Sequence, residues 1–349
     1  MNTKNSIKQH NVYDNCIDYL RLIAAIIVLL SHSFRSFDYE KTVWLMWLTD
    51  GATGVAMLFG ISGFLIFMSY DRGYNQPKRL LSFYIKRIFR IYPALITMYL
   101  GVAVLDCING ENIFTLGSLY TLFRAILYPT ASIYAVGIYN GVLCTLGYEL
   151  TFYLLVPILY KIYRNKSHAF WIISIFVFWL ANFWDEYFIA IWGDVNVINF
   201  LYEFMIGAYL YMHRETILYK LATPKKAVAL IIFYSIVWNI YTYTDIIPHV
   251  GSVHPALITW IVPFSTIVIA FSFGKKNLKI DLSYGIYIWH MIVITQVLMY
   301  FKRSFLTMVL CWVTVFVIAT ISWIFIEERC QKCAKKYILE KFIKNTESA

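Results

Sequence analysis

The sequence predicts an all-α fold, a polytopic transmembrane helical bundle of about ten spans with both termini on the cytoplasmic side. Three observations predict it. Hydrophobic residues make up 60 % of the 349 residues and charged ones only 14 %, where a soluble domain carries about 45–50 % and about 25 %. The apolar residues fall in runs of about 17–25, enough for a helix to cross a hydrocarbon core and too long for barrel strands. The positive charges sit between those runs rather than within one basic domain. A soluble globular enzyme, a secreted disulfide scaffold, a nucleic-acid-binding module and a disordered chain are thereby excluded.

In chain order the expected spans are 16–34, 52–70, 89–107, 140–160, 169–185, 197–213, 227–244, 256–274, 282–301 and 304–326. The first is read as a retained helix, because Arg21 interrupts it early and no small-residue cleavage site follows. Between the third and fourth spans, 113–135 is apolar but broken by Gly117, Arg124 and Pro129. It is expected to be re-entrant or interfacial. No internal repeat or linker divides the chain, so residues 1–349 form one membrane domain ending in a basic cytoplasmic tail, 327–349.

The formal charge of +10 is then a topology signal. Arg72, Lys78, Arg79, Lys86, Arg87 and Arg90 cluster before the third span, and Lys161, Arg164 and Lys166 after the fourth. Arg214, Lys220, Lys225 and Lys226, then Lys275, Lys276 and Lys279, fill further alternate loops. These loops and the tail read as cytoplasmic; only Lys302 and Arg303 oppose that. The six cysteines suggest no disulfide framework, and the lone pair Cys330/Cys333 reads as reduced cytoplasmic thiols rather than a zinc site. No metal site is expected.

Ionisable residues within spans cost at least about 2.5–3.5 kcal/mol each and mark function by default. The first span carries Asp18, Arg21 and His32. Arg21 and His32, eleven positions apart, project from one helix face roughly 16 Å apart along the axis. Glu149 stands alone in the fourth span with Tyr153 one turn on; a carboxylate and an imidazole at similar depth would pair, orienting the His32 ring. His290 follows Tyr284 and Tyr287 in the ninth span and reads first as an interhelical hydrogen-bonder, and Glu203 in the sixth suggests no partner. Arg87 and Arg90, three apart at the entry to the third span, share a face. With Arg21 at similar depth they would make a cationic pocket for the phosphates of a nucleotide-like donor.

Six motifs in order resemble the acyltransferase-3 family of bacterial integral membrane acyltransferases. Arg21 and His32 match its R-x10-H, and Phe59-Gly60-Ile61-Ser62-Gly63-Phe64-Leu65-Ile66 is similar to F-x-x-S-G-F-L-I. Arg87-Ile88-Phe89-Arg90-Ile91-Tyr92-Pro93 resembles R-x-x-R-I-x-P. The stretch Leu146–Pro157 resembles L-S-x-E-x-x-F-Y-L-x-x-P, with Gly147 in place of the serine. Ser283-Tyr284-Gly285-Ile286-Tyr287-Ile288-Trp289-His290 resembles S-Y-x-x-Y-L-x-H, and Phe325-Ile326-Glu327 the closing F-x-E.

The resemblance implies transfer of an acyl group, usually acetyl, from cytosolic acyl-CoA to a hydroxyl outside the bacterial inner membrane. The acceptor would be a cell-surface polysaccharide or its lipid-linked precursor, with a partner from a polysaccharide-biosynthesis machinery possible. His32 would be the general base or acyl carrier and Glu149 its supporting carboxylate, with Arg21, Arg87 and Arg90 on the CoA phosphates. Asp18, Ser62, Tyr153, Tyr287 and His290 would support them. No appended extracellular hydrolase-like domain follows, which implies a single-component enzyme or a separate partner. The aromatics Trp184, Tyr187, Trp192 and Tyr243 suit either sugar stacking or an interfacial belt. Buried Arg, His and Glu also suit a carrier exporting a glycan or lipid without chemistry, but no motif is repeated as carriers often require.

Overall fold

The computed structural model describes residues 15–39, 50–73, 78–110, 115–127, 129, 143–181, 198–243, 249–250, 254–255, 258–276 and 278–338. These form helices α1 (Ile17–Ser36), α2 (Gly51–Arg72), α3 (Arg79–Ile108), α4 (Leu116–Leu127), α5 (Leu143–Tyr163) and α6 (His168–Ala181). There follow α7 (Ile198–Met212), α8 (Arg214–Leu221), α9 (Pro224–Tyr243), α10 (Ile258–Ser272), α11 (Ser283–Tyr300), α12 (Phe305–Ser322) and α13 (Glu328–Ile338). One antiparallel two-residue pair, His249–Val250 with His254–Pro255, interrupts an otherwise helical architecture.

Four described helices are long and apolar enough to cross a bilayer alone: α1, α2, α3 and the continuous run Phe305–Ile338. The pair α8 and α9, bent by 84° at Thr223, makes a fifth if taken as one span. The helix α4 covers part of 113–135 as a short apolar segment; apart from residues 115–127 and Pro129, that stretch lies outside the described residues. Helices overlie each of the ten expected segments, but two boundaries change. α3 begins at Arg79, ahead of the expected start at 89, so Lys86 and Arg87 are helical residues like Arg90. The expected free tail is, as far as Ile338, the helix α13, joined to α12 by a π-helical turn over Trp323–Glu327. Burial of Ala334 and Ile338 docks α13 on α3, which removes its apolar stripe from solvent and leaves its lysines outward.

α2 is the central helix, packed on α1, α7 and α10. Lipid tails are as apolar as leucine, so helices in a membrane gain little from apolar burial and associate where backbones can approach closely. A Cβ on Gly63 would lie 1.9 Å from the Phe204 carbonyl oxygen, and one on Gly207 would lie 1.9 Å from that of Gly60. The α2–α7 crossing is therefore backbone on backbone at two reciprocal glycines. Around it Phe64, Phe67, Phe152, Phe204 and Trp171 are fully buried. The exposed apolar rows run instead along outer faces: Leu100, Val104 and Ile108 on α3, Ile232 and Ile236 on α9, and Leu310, Val313, Val317 and Ile321 on α12. These rows are the surfaces a bilayer would solvate.

Candidate active site

α1 and α11 lie side by side, and with α2, α3 and α5 they build two polar places in an apolar bundle. The first is a cavity of about 100 Å³, partly open, between α1, α2, α3, α5 and α11. Arg21, Arg87 and Arg90 all line it, so the three arginines expected at one depth do converge. Glu149 is the carboxylate of the lining.

An aspartate that sequence reasoning passed over organises the arginines. Asp281, just before α11, takes Arg21 Nη1 at 2.9 Å and Arg90 Nη2 at 3.7 Å. Asp18, one turn before Arg21 on α1, stands farther off at 4.0 Å. Asp281 also accepts from the Ser283 amide at 3.3 Å and from the Ser283 hydroxyl, so it is tied to the helix start as well as to the cations. The one available signal was its place two residues ahead of the serine–tyrosine motif. Arg87 differs from its neighbours. Among the described residues it forms no ion pair within 4 Å; its guanidinium sits 5.4 Å from the Tyr153 ring and 5.6 Å from the Phe83 ring, with Nε buried and unbonded. A guanidinium without a close ion pair beside two paired ones is a ready anion ligand.

Glu149 corrects the expected pairing. Its Oε1 accepts the Ser62 hydroxyl at 3.1 Å and the Tyr153 hydroxyl one turn along its own helix. No bond joins it to His32. The rotation of α5 aims the carboxylate across to α2 and into the arginine cavity, which depth and residue type alone do not reveal. Glu327, in the π turn, is buried, accepts the Ser322 hydroxyl at 2.8 Å and contributes to the field at Arg90. The otherwise unplaced Glu203 receives the Tyr202 hydroxyl at 3.0 Å.

The second polar place is His32 with His290. Their ring centroids are 5.2 Å apart, with His32 half-buried and His290 wholly buried. His32 Nδ1 lies 2.9 Å from the Val28 carbonyl, and His290 Nδ1 3.1 Å from that of Ile286, each one turn back on its own helix. The start of α2 also reaches this spot: a Cβ on Gly51 would lie 3.0 Å from Ser31 Oγ and 3.8 Å from His32 Cε1. Tyr287 joins the two places. It lines the cavity, shares a hydrogen bond with Thr145 and sets its ring 6.0 Å from that of His290. Trp184, Tyr187, Trp192 and the Tyr243 side chain lie outside the described residues.

With this geometry in view, the comparisons decide the family. The model of the acyltransferase domain of the acyltransferase-3 type matches residues 14–327. The chain belongs to this acyltransferase family. It is 29 % identical to nodulation protein 10 of Rhizobium leguminosarum bv. viciae, over 91 % of this chain and 93 % of that protein. It is 27 % identical to the O-acetyl transferase of Shigella phage Sf6, over 90 % of this chain and 95 % of that protein. No solved structure matches it. The protein is thus an acyltransferase with several membrane-capable helices, and the exporter without chemistry gives way to that assignment.

Proposed function

We propose that this acyltransferase moves an acyl group, usually acetyl, from cytosolic acyl-CoA to a hydroxyl of an extracytoplasmic surface polysaccharide or its lipid-linked precursor. The enzyme lies in a bacterial inner membrane with ten spans and both termini inside. The observation that carries the reading is the convergence of Arg21, Arg87 and Arg90 on one cavity that Tyr287 connects to the His32–His290 pair.

The arginines hold the CoA phosphates at the cytosolic mouth, Arg87 as the cation with no ion pair within 4 Å among the described residues and Arg21 and Arg90 preset by Asp281. The acyl-pantetheine arm then reaches up past Tyr287. At His32 the carbonyl of Val28 can only accept, so Nδ1 carries the ring proton and Nε2 the lone pair. Nε2 removes the proton of the acceptor hydroxyl as its oxygen attacks the thioester carbonyl. The carbon–sulfur bond breaks, and the CoA thiolate leaves and recovers that proton. Glu149, held by Ser62 and Tyr153, shapes the cavity wall rather than the base. The test is transfer from radiolabelled acetyl-CoA by the purified protein in lipid, with acceptor glycan compared by mass in wild-type and deletion strains. An acetyl-sized difference in the glycan supports the reading; loss of all surface glycan with no label transferred overturns it.

A further inference from the structure

Both restraints on Glu149 fall on one of its oxygens. The Ser62 hydroxyl, at 3.1 Å, and the Tyr153 hydroxyl donate to Oε1. Oε2 takes no hydrogen bond among the described residues, and it is not sealed into the packing. The half-buried side chain lines the arginine cavity and leaves this oxygen open to it. The other polar side chains of the lining give a ligand little to donate to. Arg21, Arg87 and Arg90 carry donors only. The hydroxyls are engaged: Ser62 and Tyr153 by Glu149, Thr145 and Tyr287 by each other, Tyr284 by the Ile91 carbonyl at 3.0 Å and Ser283 by Asp281. Oε2 is therefore the strong acceptor of the cavity, and it calls for an N–H or O–H from whatever fills it.

α5 sets its depth. Tyr153, whose ring lies 5.4 Å from the Arg87 guanidinium, stands four residues to one side of Glu149, and Thr145 four residues to the other. Each step rises about 6 Å along the helix. The sign of the lining thus changes along the cavity, with cations at one end, an anion one turn on and the neutral Thr145–Tyr287 pair beyond it. A carboxylate so placed repels a phosphate that climbs past the arginines and accepts an uncharged donor in its stead.

The arm of an acyl-CoA carries such donors at fixed distances. From its nearer phosphorus, six bonds lead to the first amide nitrogen, roughly 7 Å when extended, and seven more lead to the sulfur, roughly 8 Å farther. With the pyrophosphate on Arg87, the first amide comes level with Glu149. The thioester then lies one to two turns beyond, beside Thr145 and Tyr287.

We propose that Glu149 recognises the donor: its Oε2 accepts the N–H of the amide nearest the phosphates, and so fixes how deep the acyl-pantetheine arm enters. Ser62 and Tyr153 hold the carboxylate to the wall, so that it does not close on the arginines that the phosphates need. The assignment rests on the acyl-CoA reading of the site.

The experiment removes the donor's N–H groups one at a time. Binding of acetyl-CoA to the full-length protein in detergent is compared, by isothermal titration, with that of two analogues. In one an ester oxygen replaces the N–H of the first amide, in the other that of the second. For the wild type the first ester raises Kd about tenfold or more, the worth of a hydrogen bond to a charged group. The second ester changes Kd by less than about twofold, since its amide meets no carboxylate. In Glu149→Gln, whose carbonyl still accepts from Ser62 and Tyr153, the penalty for the first ester shrinks to within about twofold, because both changes delete the same bond. Equal wild-type Kd values for acetyl-CoA and the first ester overturn the proposal, whether or not the variant folds. So does a loss confined to the second ester, or a first-ester penalty undiminished in Glu149→Gln. Each of these outcomes leaves the donor reading standing. A wild type that binds none of the three thioesters overturns that reading, and the proposal with it.

Discussion

The arginine cavity and the imidazole pair are built on the same two neighbouring helices, yet they satisfy their polar groups in opposite ways. At the cavity, Arg21 of α1 is held by Asp281 ahead of α11, and Glu149 by Ser62 of α2 and Tyr153 of α5. Every restraint but the last crosses between elements. At the pair, His32 and His290 are each tied to a carbonyl one turn back on their own helix, with no carboxylate among the described residues bonded to either. Charge in a bundle interior has to be met by opposite charge brought from elsewhere, because desolvation is otherwise too costly. A general base has the opposite need: a neutral site in which nothing competes for its lone pair.

Substitutions in the two places therefore separate in kinetics. His32→Ala is expected to have the largest effect, lowering kcat by about 10²–10⁴, the usual worth of a positioned base. Acyl-CoA binding, followed by isothermal titration, should stay close to wild type; a matching loss of donor affinity would merge the two places into one. Asp281→Ala comes next. It leaves two guanidiniums beside an empty position, and removal of one partner of a buried pair costs about 3–5 kcal/mol. The side chains here are 11 % and 18 % exposed for Arg21 and Asp281, which puts the expectation at the low end. Thermal unfolding in detergent should shift down and donor KM rise. Stability equal to wild type would show that Asp281 does not organise the cations.

Arg87→Ala should raise donor KM by about tenfold or more, the value of a charge-assisted hydrogen bond, with kcat little changed. A fall in kcat at constant KM would place Arg87 with the chemistry instead. Ser62→Ala is the mildest. It removes one of two donors to Glu149 and should cost about 1 kcal/mol, read as a severalfold loss in kcat/KM; an effect as large as that of His32→Ala would mean that Glu149 serves the base after all.

Much of this was legible along single helices. The face shared by Arg21 and His32 follows from helical periodicity, and so does the neighbourhood of Arg87 and Arg90, whose helix runs unbroken from Arg79. What one helix cannot show is its rotation against the others. Glu149 has the depth and chemistry to meet His32, but the contact of α5 with α2 directs it to Ser62. Asp281 reads as an ordinary loop acid until the chain brings it beneath Arg21. The tail reads as a charged cytoplasmic extension because its lysines dominate its composition. Its apolar stripe, ending in Ala334 and Ile338, has no meaning until α3 is there to receive it.

The sequence by itself determined the solvent, the helical class, the family motifs and the residue types that carry the chemistry. Those depend on composition and on a 3.6-residue repeat, which are local properties. Only the tertiary structure decided which acid meets which base. That choice is made by helix rotation and close backbone approach, as at Gly63 and Gly207. Packing of this kind depends on residues far apart in the chain, so no window of sequence contains it.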